Sequence, residues 1–472
     1  MPLSYSHHAH VHAKTRKLFF LDFAVLFIAV WIGSVAYLSV ETEQVRLLPD
    51  IFRVEVVLFI LLQQLILLSL GLYELRLRES SRGIFRRILV AVGLSYFLVD
   101  VIVLNIFQFE PFDHYSVALI SSISLILLTL FRVIVYDSQW LGFVKRRCIV
   151  LGTGERASII EQRMRRKADR RDFELLGFVA QPGDKERLIR REKVYEFDEE
   201  ALTSFVIENG VEEVVIACDQ RRNTMPMDAL FNFKIRGIQI TDIIDFIERE
   251  TGQIAVTLIY PSWVIYSNGF RSSNHFRESV DYFFNAGLAL FILLLTWPII
   301  LLTALCIYLD DGRKTGASVL YTQERVGENG RVFSIRKFRS MRPDAEKDGA
   351  RFASENDDRT TRIGHFLRKY RIDELPQLFN ILRGDMGFVG PRPERPEFVK
   401  KYIGLIPYYA QRHYVKPGLA GWAQLKYPYG STDEDTLEKV KFDLYYIKHR
   451  SIMFDILILI RTLEVIVFGK GR

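Results

Sequence analysis

The chain has 472 residues, 49% of them hydrophobic and 25% charged, with a formal net charge of +7. That length has room for about three domains, and the basic residues cluster beside apolar blocks as membrane flanks do, with no zinc-finger spacing or RNP-like aromatic motif to indicate nucleic acid. Cys148, Cys218 and Cys306 are far apart and odd in number, which excludes a disulfide framework or a cysteine zinc site and fits reduced thiols facing a cytosol.

The chain opens on a polar tail with His7, His8, His10 and His12, read as disordered. No cleavable signal peptide is evident, because the first apolar block is as long as a membrane span and lacks a small-residue cleavage site. Apolar segments at about 18–38, 54–73, 88–107 and 115–136 are each near the ~20 residues a helix needs to cross, and read as four transmembrane helices. Lys14, Arg16 and Lys17 precede the first; Arg76, Arg78, Arg82, Arg86 and Arg87 separate the second from the third; Lys145, Arg146 and Arg147 follow the fourth. The other two loops carry Glu41, Glu43, Asp50, Glu110 and Asp113, so the positive-inside rule places both ends of the bundle in the cytoplasm. Asp22 and Asp100 lie inside the spans, where bundle-facing pairing or a shallow position accounts for them as well as a functional role does.

Residues 147–157 read RCIVLGTGERA, a short apolar strand followed by Gly152, Gly154 and Ala157 at dinucleotide-fingerprint spacing. Apolar runs at 175–180, 214–218 and 238–243 alternate with charged, helical stretches, which predicts a small Rossmann-like α/β domain from about 145 to 257. The fingerprint alone is a weak signal. The acidic residue it calls for would be Asp169 or Asp172, and both lie in a basic stretch, so a structural or regulatory remnant is favoured over dinucleotide binding.

A fifth apolar block at 283–309 is interrupted by Trp297 and Pro298. Proline removes a helix hydrogen bond and clashes with the preceding turn, which predicts two shorter helices. Basic residues flank both sides, Arg271 and Arg277 before, Arg313 and Lys314 after. A helix, break, helix hairpin that enters and leaves one leaflet satisfies both flanks, the alternative being a kinked fifth span. A β-hairpin is expected next, with 319–322 and 332–335 flanking the turn residues Gly327, Glu328, Asn329 and Gly330, and it delivers Lys337.

The chemistry concentrates at 336–396, RKFRSMRPDAE followed by IGHFLRKYRIDELPQLFNILRGDMGFVGPRPERP. At its centre Asp373 and Glu374 precede a short helix whose Leu375, Leu378, Phe379 and Leu382 follow helical spacing. Asp373 is expected at the N-cap, Pro376 in the first turn and Gly384 at the end, and the helix dipole is expected to hold the carboxylate ionised. Arg336, Lys337, Arg339, Arg342, Arg368, Lys369, Arg371, Arg383 and Arg392 surround the pair, which points to a polyanionic ligand. Taken alone, the aspartate is a helix cap and the cations a solvated face.

QERVGENGRVFSIRKFRSMRPDAE, RKYRIDELPQLFNILRGDMGFVGPRPERPEF and VKPGLAGWAQ together resemble the bacterial polyprenyl-phosphate sugar-phosphate transferases, which start exopolysaccharide and O-antigen repeat units. The likeness covers the whole chain, in the long form of the monotopic phosphoglycosyl transferases. It is greatest to the glucose-phosphate transferases of exopolysaccharide systems, including those associated with PEP-CTERM sorting. It implies a membrane protein of three parts: a four-helix transmembrane bundle (1–140), a degenerate nucleotide-binding domain (145–257), and an α-rich catalytic domain anchored by a re-entrant helix (275–472) on the cytoplasmic face of the bacterial inner membrane.

The resemblance further implies transfer of a hexose 1-phosphate, glucose foremost, from a UDP-sugar to undecaprenyl phosphate with release of UMP. In it Asp373 is the nucleophile that forms an acyl phosphate, Glu374 and the pair as a whole bind Mg2+, Lys337 and Arg368 bind phosphate, and Arg339 and Arg392 contact substrate. Asp443, in FDLYYIKHRS, is either a second acidic contact or a helix-surface charge. UDP-sugar, undecaprenyl phosphate and membrane lipids are the implied partners, with a homodimer as an option. One departure bears on sugar choice: relatives often follow VKPGLAGWAQ with an Asn-Gly-Arg-like segment, whereas this chain has Leu425, Lys426, Tyr427, Pro428, Tyr429 and Gly430.

The last stretch, 452–468, carries Asp455, Arg461 and Glu464 near its middle, which favours an interfacial or packed helix over a sixth span. A membrane-bound nucleotide-sugar dehydratase or epimerase is a competing reading, but no tyrosine here has a lysine four positions later. A non-catalytic nucleotide-sensing membrane protein is another.

Overall fold

The structure is a computed structural model that describes residues 3–41, 54–73, 81–100, 114–137, 145–164, 173–182, 184, 188–220, 224–260, 263, 267, 269–270, 275–345, 359–427, 430 and 432–467. The chain forms two compact units, Met1–Thr251 and Gly252–Arg472.

The first unit begins with α1 (Leu3–Glu41), α2 (Val54–Ser69), α3 (Ser81–Phe97) and α4 (His114–Asp137), where α1 packs on α2 and α4, and α3 on α2 and α4. Lys17–Tyr37 and His114–Ile134, with mean hydropathies of 2.3 and 2.4, are long and apolar enough to cross a membrane, and Val56–Leu68 is a shorter apolar helix. Residues 101–107 of the expected third span, and Glu43, Asp50, Arg76, Arg78, Glu110 and Asp113 among the charges on which the orientation rests, lie outside the described residues.

Asp22 is fully buried and pairs with Arg132, whose guanidinium also donates to the Leu72 carbonyl at 3.1 Å and lies 5.1 Å over the Tyr73 ring. Arg87 donates to the Leu70 carbonyl at 3.2 Å. The two arginines thus take up carbonyls that follow α2, where a helix leaves acceptors without an internal partner. Asp100, the other intraspan acid, lies 2.8 Å from His114 Nδ1.

The second half of this unit is a parallel sheet of β1 (Arg146–Leu151), β2 (Phe173–Val179), β3 (Val194–Tyr195), β4 (Glu213–Ile216) and β5 (Gln239–Asp242), in the order β3-β2-β1-β4-β5. Helices α5 (Glu155–Arg163), α6 (Glu199–Glu208), α7 (Met227–Ile235) and α8 (Ile243–Thr251) alternate with the strands. This order is that of the first five strands of the doubly wound dinucleotide fold. Ile149, Leu151, Val179, Val206, Val214 and Phe233 fill its core. Asp169 and Asp172 lie outside the described residues.

The second unit holds the helix His275–Ile307, the antiparallel hairpin β6 (Leu320–Val326) and β7 (Val332–Phe338), the helix Arg362–Lys369, and a 3-10 helix at Ile372–Gln377 leading into Leu378–Arg383. After it β8 (Gly387–Val389) pairs in parallel with β9 (Gly418–Ala420), and Pro396–Leu405, Trp422–Lys426, Asp433–His449 and Ile452–Val467 complete the α-rich body. Residues from Gly252 on belong here: Trp422 Nε1 donates to the Gly252 carbonyl at 2.8 Å and the Ile254 amide to that of Lys441 at 3.0 Å.

The expected break at Pro298 is not found. His275–Ile307 runs as one helix of 33 residues with Pro298 inside it. Proline removes one amide hydrogen and crowds the preceding turn, but in an apolar surround every remaining backbone group is best satisfied by continuing the helix. The stretch Glu278–Asp310, which continues into the π-helical turn Tyr308–Gly312, has a mean hydropathy of 2.7, enough to cross a membrane. The final helix is packed, as its central charges predict: Leu457 and Ile458 are buried, and Asp455 accepts from Tyr446 Oη at 2.7 Å.

Removing Arg132 would leave the Asp22 carboxylate buried without its cation, so Arg132→Ala is expected to lower stability by on the order of 3 kcal/mol. The Asp22→Asn/Arg132→Gln double substitution is expected to recover most of that, as measured by thermal unfolding in detergent.

Candidate active site

The pair Asp373 and Glu374 reaches its place through a tight turn. Helix Arg362–Lys369 is capped by Thr361, whose hydroxyl accepts from the Gly364 amide, and ends at Tyr370. Arg371 then takes a left-handed conformation at φ 54°, ψ 24°, uncommon for a residue with a side chain, and the chain turns into the 3-10 helix. The N-cap is therefore Arg371. Asp373 lies inside the first turn and caps nothing, contrary to its expected position, because the 3-10 turn starts two residues earlier than the apolar spacing implies. Pro376 is the fifth residue of this 3-10 helix, past the first turn where it was expected, and Gly384 ends the following helix at φ 82°, as expected.

Beneath the turn, Ile307, Phe338 and Leu367 form a small core to which Ile300, Ala304, Ile372 and Leu375 add, so the long helix, β7 and the carboxylate turn share one apolar floor. Asn380 fixes their register: its Oδ1 accepts from the Arg336 amide at 3.1 Å, and its Nδ2 donates to the Ser334 carbonyl at 2.9 Å and to Asp385 at 3.2 Å. That clamp sets Lys337 on β7 beside Glu374. Sequence reasoning passed over Asn380; the signal was a lone amide inside an apolar helical run.

The two carboxylates are both buried, 8% and 7% exposed, yet differently partnered. Glu374 accepts from Lys337 Nζ at 3.2 Å, Arg392 Nη2 at 3.0 Å and Arg371 Nη1 at 3.3 Å. Burial alone would raise its pKa, but Lys337, Arg392 and Arg371 hold it well below the usual carboxylate range. Among the described residues none donates a hydrogen bond to Asp373. Burial and the charge of Glu374 push its pKa up to about 6, against the pull of Lys337, Arg368 and Arg392. Environment, more than the helix dipole, sets its ionisation. Burial also pushes the Lys337 ammonium down, with Glu374 opposing.

Of the other predicted residues, Arg368 donates to Thr360 Oγ1 at 3.0 Å, and its charge acts on Asp373. Arg339 is buried and donates to the Ser318 carbonyl at 2.8 Å, tying the end of β7 to the start of β6. Lys369 lies over the Tyr370 ring, and Lys426 4.6 Å over Trp422. Asp443 is not a surface charge: it is 1% exposed and accepts from Arg412 Nη2 at 2.8 Å. Burial pushes it up to about 6, with Arg412 opposing.

Arg412, which the sequence did not single out, also donates to the Arg392 carbonyl at 3.0 Å and to Tyr409 Oη at 2.9 Å. The neighbouring Pro391 and Pro393 carbonyls accept from the Gly418 amide at 3.0 Å and Arg325 Nη1 at 3.0 Å. Three consecutive carbonyls are thus fixed, which aims Arg392 at Glu374. The β8/β9 contact admits no side chain: a Cβ on Gly418 would lie 2.0 Å from the Gly390 nitrogen, and one on Gly421 2.4 Å from the Gly390 oxygen. The PGLAG and GPRPE runs are two halves of one clamp.

Long apolar helices, a parallel sheet and this polar turn define a membrane protein carrying a transferase domain. The family described as bacterial sugar transferase matches residues 276–469. A Bacillus subtilis (strain 168) relative, whose name carries undecaprenyl-phosphate N-acetylgalactosaminyl 1-phosphate transfer, is 51% identical over 124 residues, 26% of this chain and 67% of its own length. The chain belongs to this family. It is 34% identical over 276 residues to the UDP-glucose:undecaprenyl-phosphate glucose-1-phosphate transferase of Xanthomonas campestris pv. campestris, 56% of this chain and 55% of the relative. It is 46% identical over 174 residues to the UDP-N-acetylgalactosamine-undecaprenyl-phosphate N-acetylgalactosaminephosphotransferase of Aeromonas hydrophila, 37% of this chain and 40% of the relative. The chain thus spans about half the length, or less, of these two relatives.

Asn380→Ala removes the part-buried bonds to the Arg336 amide and the Ser334 carbonyl. It is expected to cost about 1–3 kcal/mol, read as a lower midpoint in denaturant titration; an unchanged midpoint would show that the clamp is not needed.

Proposed function

We propose that the chain transfers a hexose 1-phosphate from a UDP-sugar to undecaprenyl phosphate and releases UMP, with Asp373 as nucleophile, as the first membrane step of exopolysaccharide synthesis. The observation that carries the division of labour is the unequal partnering of the two carboxylates. Glu374 is engaged by three cations, whereas Asp373 is not hydrogen-bonded among the described residues. An Asp373 oxygen attacks the β-phosphorus, the bond from that phosphorus to the bridging oxygen breaks, and UMP departs with the electron pair. An oxygen of the lipid phosphate then attacks the same phosphorus and Asp373 leaves as carboxylate. One difficult displacement becomes two easier ones. Lys337, Arg368 and Arg392 offset repulsion between the attacking anion and the diphosphate, and this electrostatic positioning is what phosphoryl transfer chiefly requires.

The donor set suits Mg2+, which takes one or two carboxylates and completes its shell with phosphate and water. Asp373 and Glu374 would hold it together with diphosphate oxygens, Glu374 by yielding a cationic partner. No group of three His, Cys, Asp or Glu among the described residues stands ready as an all-protein cage. Such an ion supplies neutralisation of the diphosphate charge. Glucose is the proposed sugar because the relative matched over 276 residues is named for it, while others are named for N-acetylgalactosamine or galactose.

The site is proposed to face the cytoplasm at the inner membrane, with both ends of the helix His275–Ile307 on that same side. Both ends of the helix His275–Ile307 dock on the catalytic body. At its start Asp281 pairs with Arg450 at 2.7 Å, Tyr282 Oη donates to the Leu382 carbonyl at 3.1 Å, and Asn285 Oδ1 accepts from the Phe388 amide at 2.7 Å. At its end Ile300, Ala304 and Ile307 join the floor of the site. Between them Phe291, Leu294, Leu295 and Trp297 are each more than half exposed. Placing four such side chains in lipid is worth roughly 1.5–3 kcal/mol apiece over leaving them in water.

Asp373→Asn is expected to lower UMP release from UDP-glucose and undecaprenyl phosphate by on the order of 10⁴-fold, without altering thermal unfolding. Because the ionised form attacks and its pKa is pushed up to about 6, the rate of the first displacement should rise as pH increases through 6 and level off above it. A rate already level from pH 4.5 would remove Asp373 from the role. Single cysteines replacing Phe283 and Leu309 are both expected to resist a membrane-impermeant thiol reagent added from outside intact cells. Labelling of one end alone would show a crossing helix.

A further inference from the structure

The glycine loop of the parallel sheet is the sequence motif that the transferase reading leaves unused. In a dinucleotide fold its amides and the following helix N-terminus receive a pyrophosphate, and the second glycine leaves room for that group. Here both positions are taken from within the chain. Asp219, just beyond β4, accepts at 3.0 Å from the Glu155 amide with one oxygen and at 3.0 Å from the Arg156 amide with the other, at the start of α5. Asp184, beyond β2, accepts from the Thr153 amide at 2.7 Å, the Thr153 hydroxyl at 3.0 Å and the Gln181 amide at 3.3 Å.

The glycines serve the same closure. A Cβ on Gly154 would lie 1.9 Å from Asp219 Oδ2, so the space that a dinucleotide fold leaves for phosphate holds a carboxylate here. Gly152, at φ +122°, stands where a Cβ would lie 2.6 Å from the Ala217 oxygen, a strand-packing constraint and not a ligand one. At the end of β2, where an acidic residue would meet a ribose, the chain reads Ala180 and Gln181. The first acid beyond them is Asp184, and it turns back onto the loop.

We infer that this loop is an internally liganded anion site: Asp184 and Asp219 occupy the diphosphate position, and the domain takes no nucleoside diphosphate or dinucleotide there. The two aspartates are the fold's own substitute for a cofactor's charge, placed where free amides and a helix N-terminus favour an anion.

Hydrogen–deuterium exchange of the full-length protein in lipid nanodiscs tests this on the peptide covering 152–157. In wild type that peptide is expected to be protected without nucleotide and unchanged by saturating NAD+ or ADP. Asp219→Ala is expected to speed its exchange by on the order of tenfold while β1 stays protected. Slower exchange in wild type on adding either nucleotide, or an Asp219→Ala peptide that exchanges as wild type does, would overturn the inference. If Asp219→Ala also exposes β1, Asp219→Asn is read in its place, where the single acceptor oxygen left is expected to give an intermediate rate and an unchanged rate overturns.

Discussion

Glu374 is 7% exposed, and a carboxylate at that depth persists as an anion only with cations set against it. Lys337 from β7, Arg371 from the turn and Arg392 from the clamp beyond β8 supply them. Each comes from a different part of the fold, so the one ion cluster holds hairpin, turn and clamp together. It also sorts the acidic pair: with the cations spent on Glu374, its neighbour keeps an open carboxylate whose pKa is raised by burial and by the adjoining charge. The proposed nucleophile and the proposed charge anchor differ by partnership, not by residue type.

Support for this cluster is mostly backbone geometry. Asn380 locks the hairpin against the helix that follows the pair. Arg412, braced by Asp443 and Tyr409, fixes the carbonyl of Arg392. Glycines at 390, 418 and 421 let two backbones meet at distances no side chain would allow. Holding the proposed phosphate-binding groups in place before substrate arrives would avoid reorganisation during the reaction, which is where most of the rate enhancement in such sites originates.

Much of this was legible in the sequence. The hairpin and the parallel sheet follow from local spacing and stand where it predicts them; the Asp373–Glu374 pair, Lys337 and Arg392 follow from local spacing or from family resemblance, and the structure brings them together with the pair inside a 3-10 turn and not ahead of a helix. What escaped was long-range or counter-propensity. Arg371 adopts a left-handed backbone that no local rule assigns to arginine, which displaced the cap from Asp373. Arg412 and Asp443 lie 31 residues apart and meet only through packing. Pro298 was expected to stop a helix that continues through it, because a local propensity yields to an environment in which broken backbone bonds have no water to turn to. In the Rossmann-like domain the glycines were visible, but the carboxylates that fill their loop lie 31 and 65 positions beyond Thr153 and Gly154 and could be placed only by the fold.

The central claim is that Asp373 carries the phosphosugar between donor and acceptor. Incubating the purified protein with UDP-glucose labelled in the β-phosphate, without undecaprenyl phosphate, then quenching in acid and mapping peptides by mass spectrometry, tests it directly. The account predicts one equivalent of UMP and a hexose phosphate on the peptide containing Asp373, discharged when undecaprenyl phosphate is added before the quench. UMP release that requires the lipid, with no label ever retained by the protein, would contradict it.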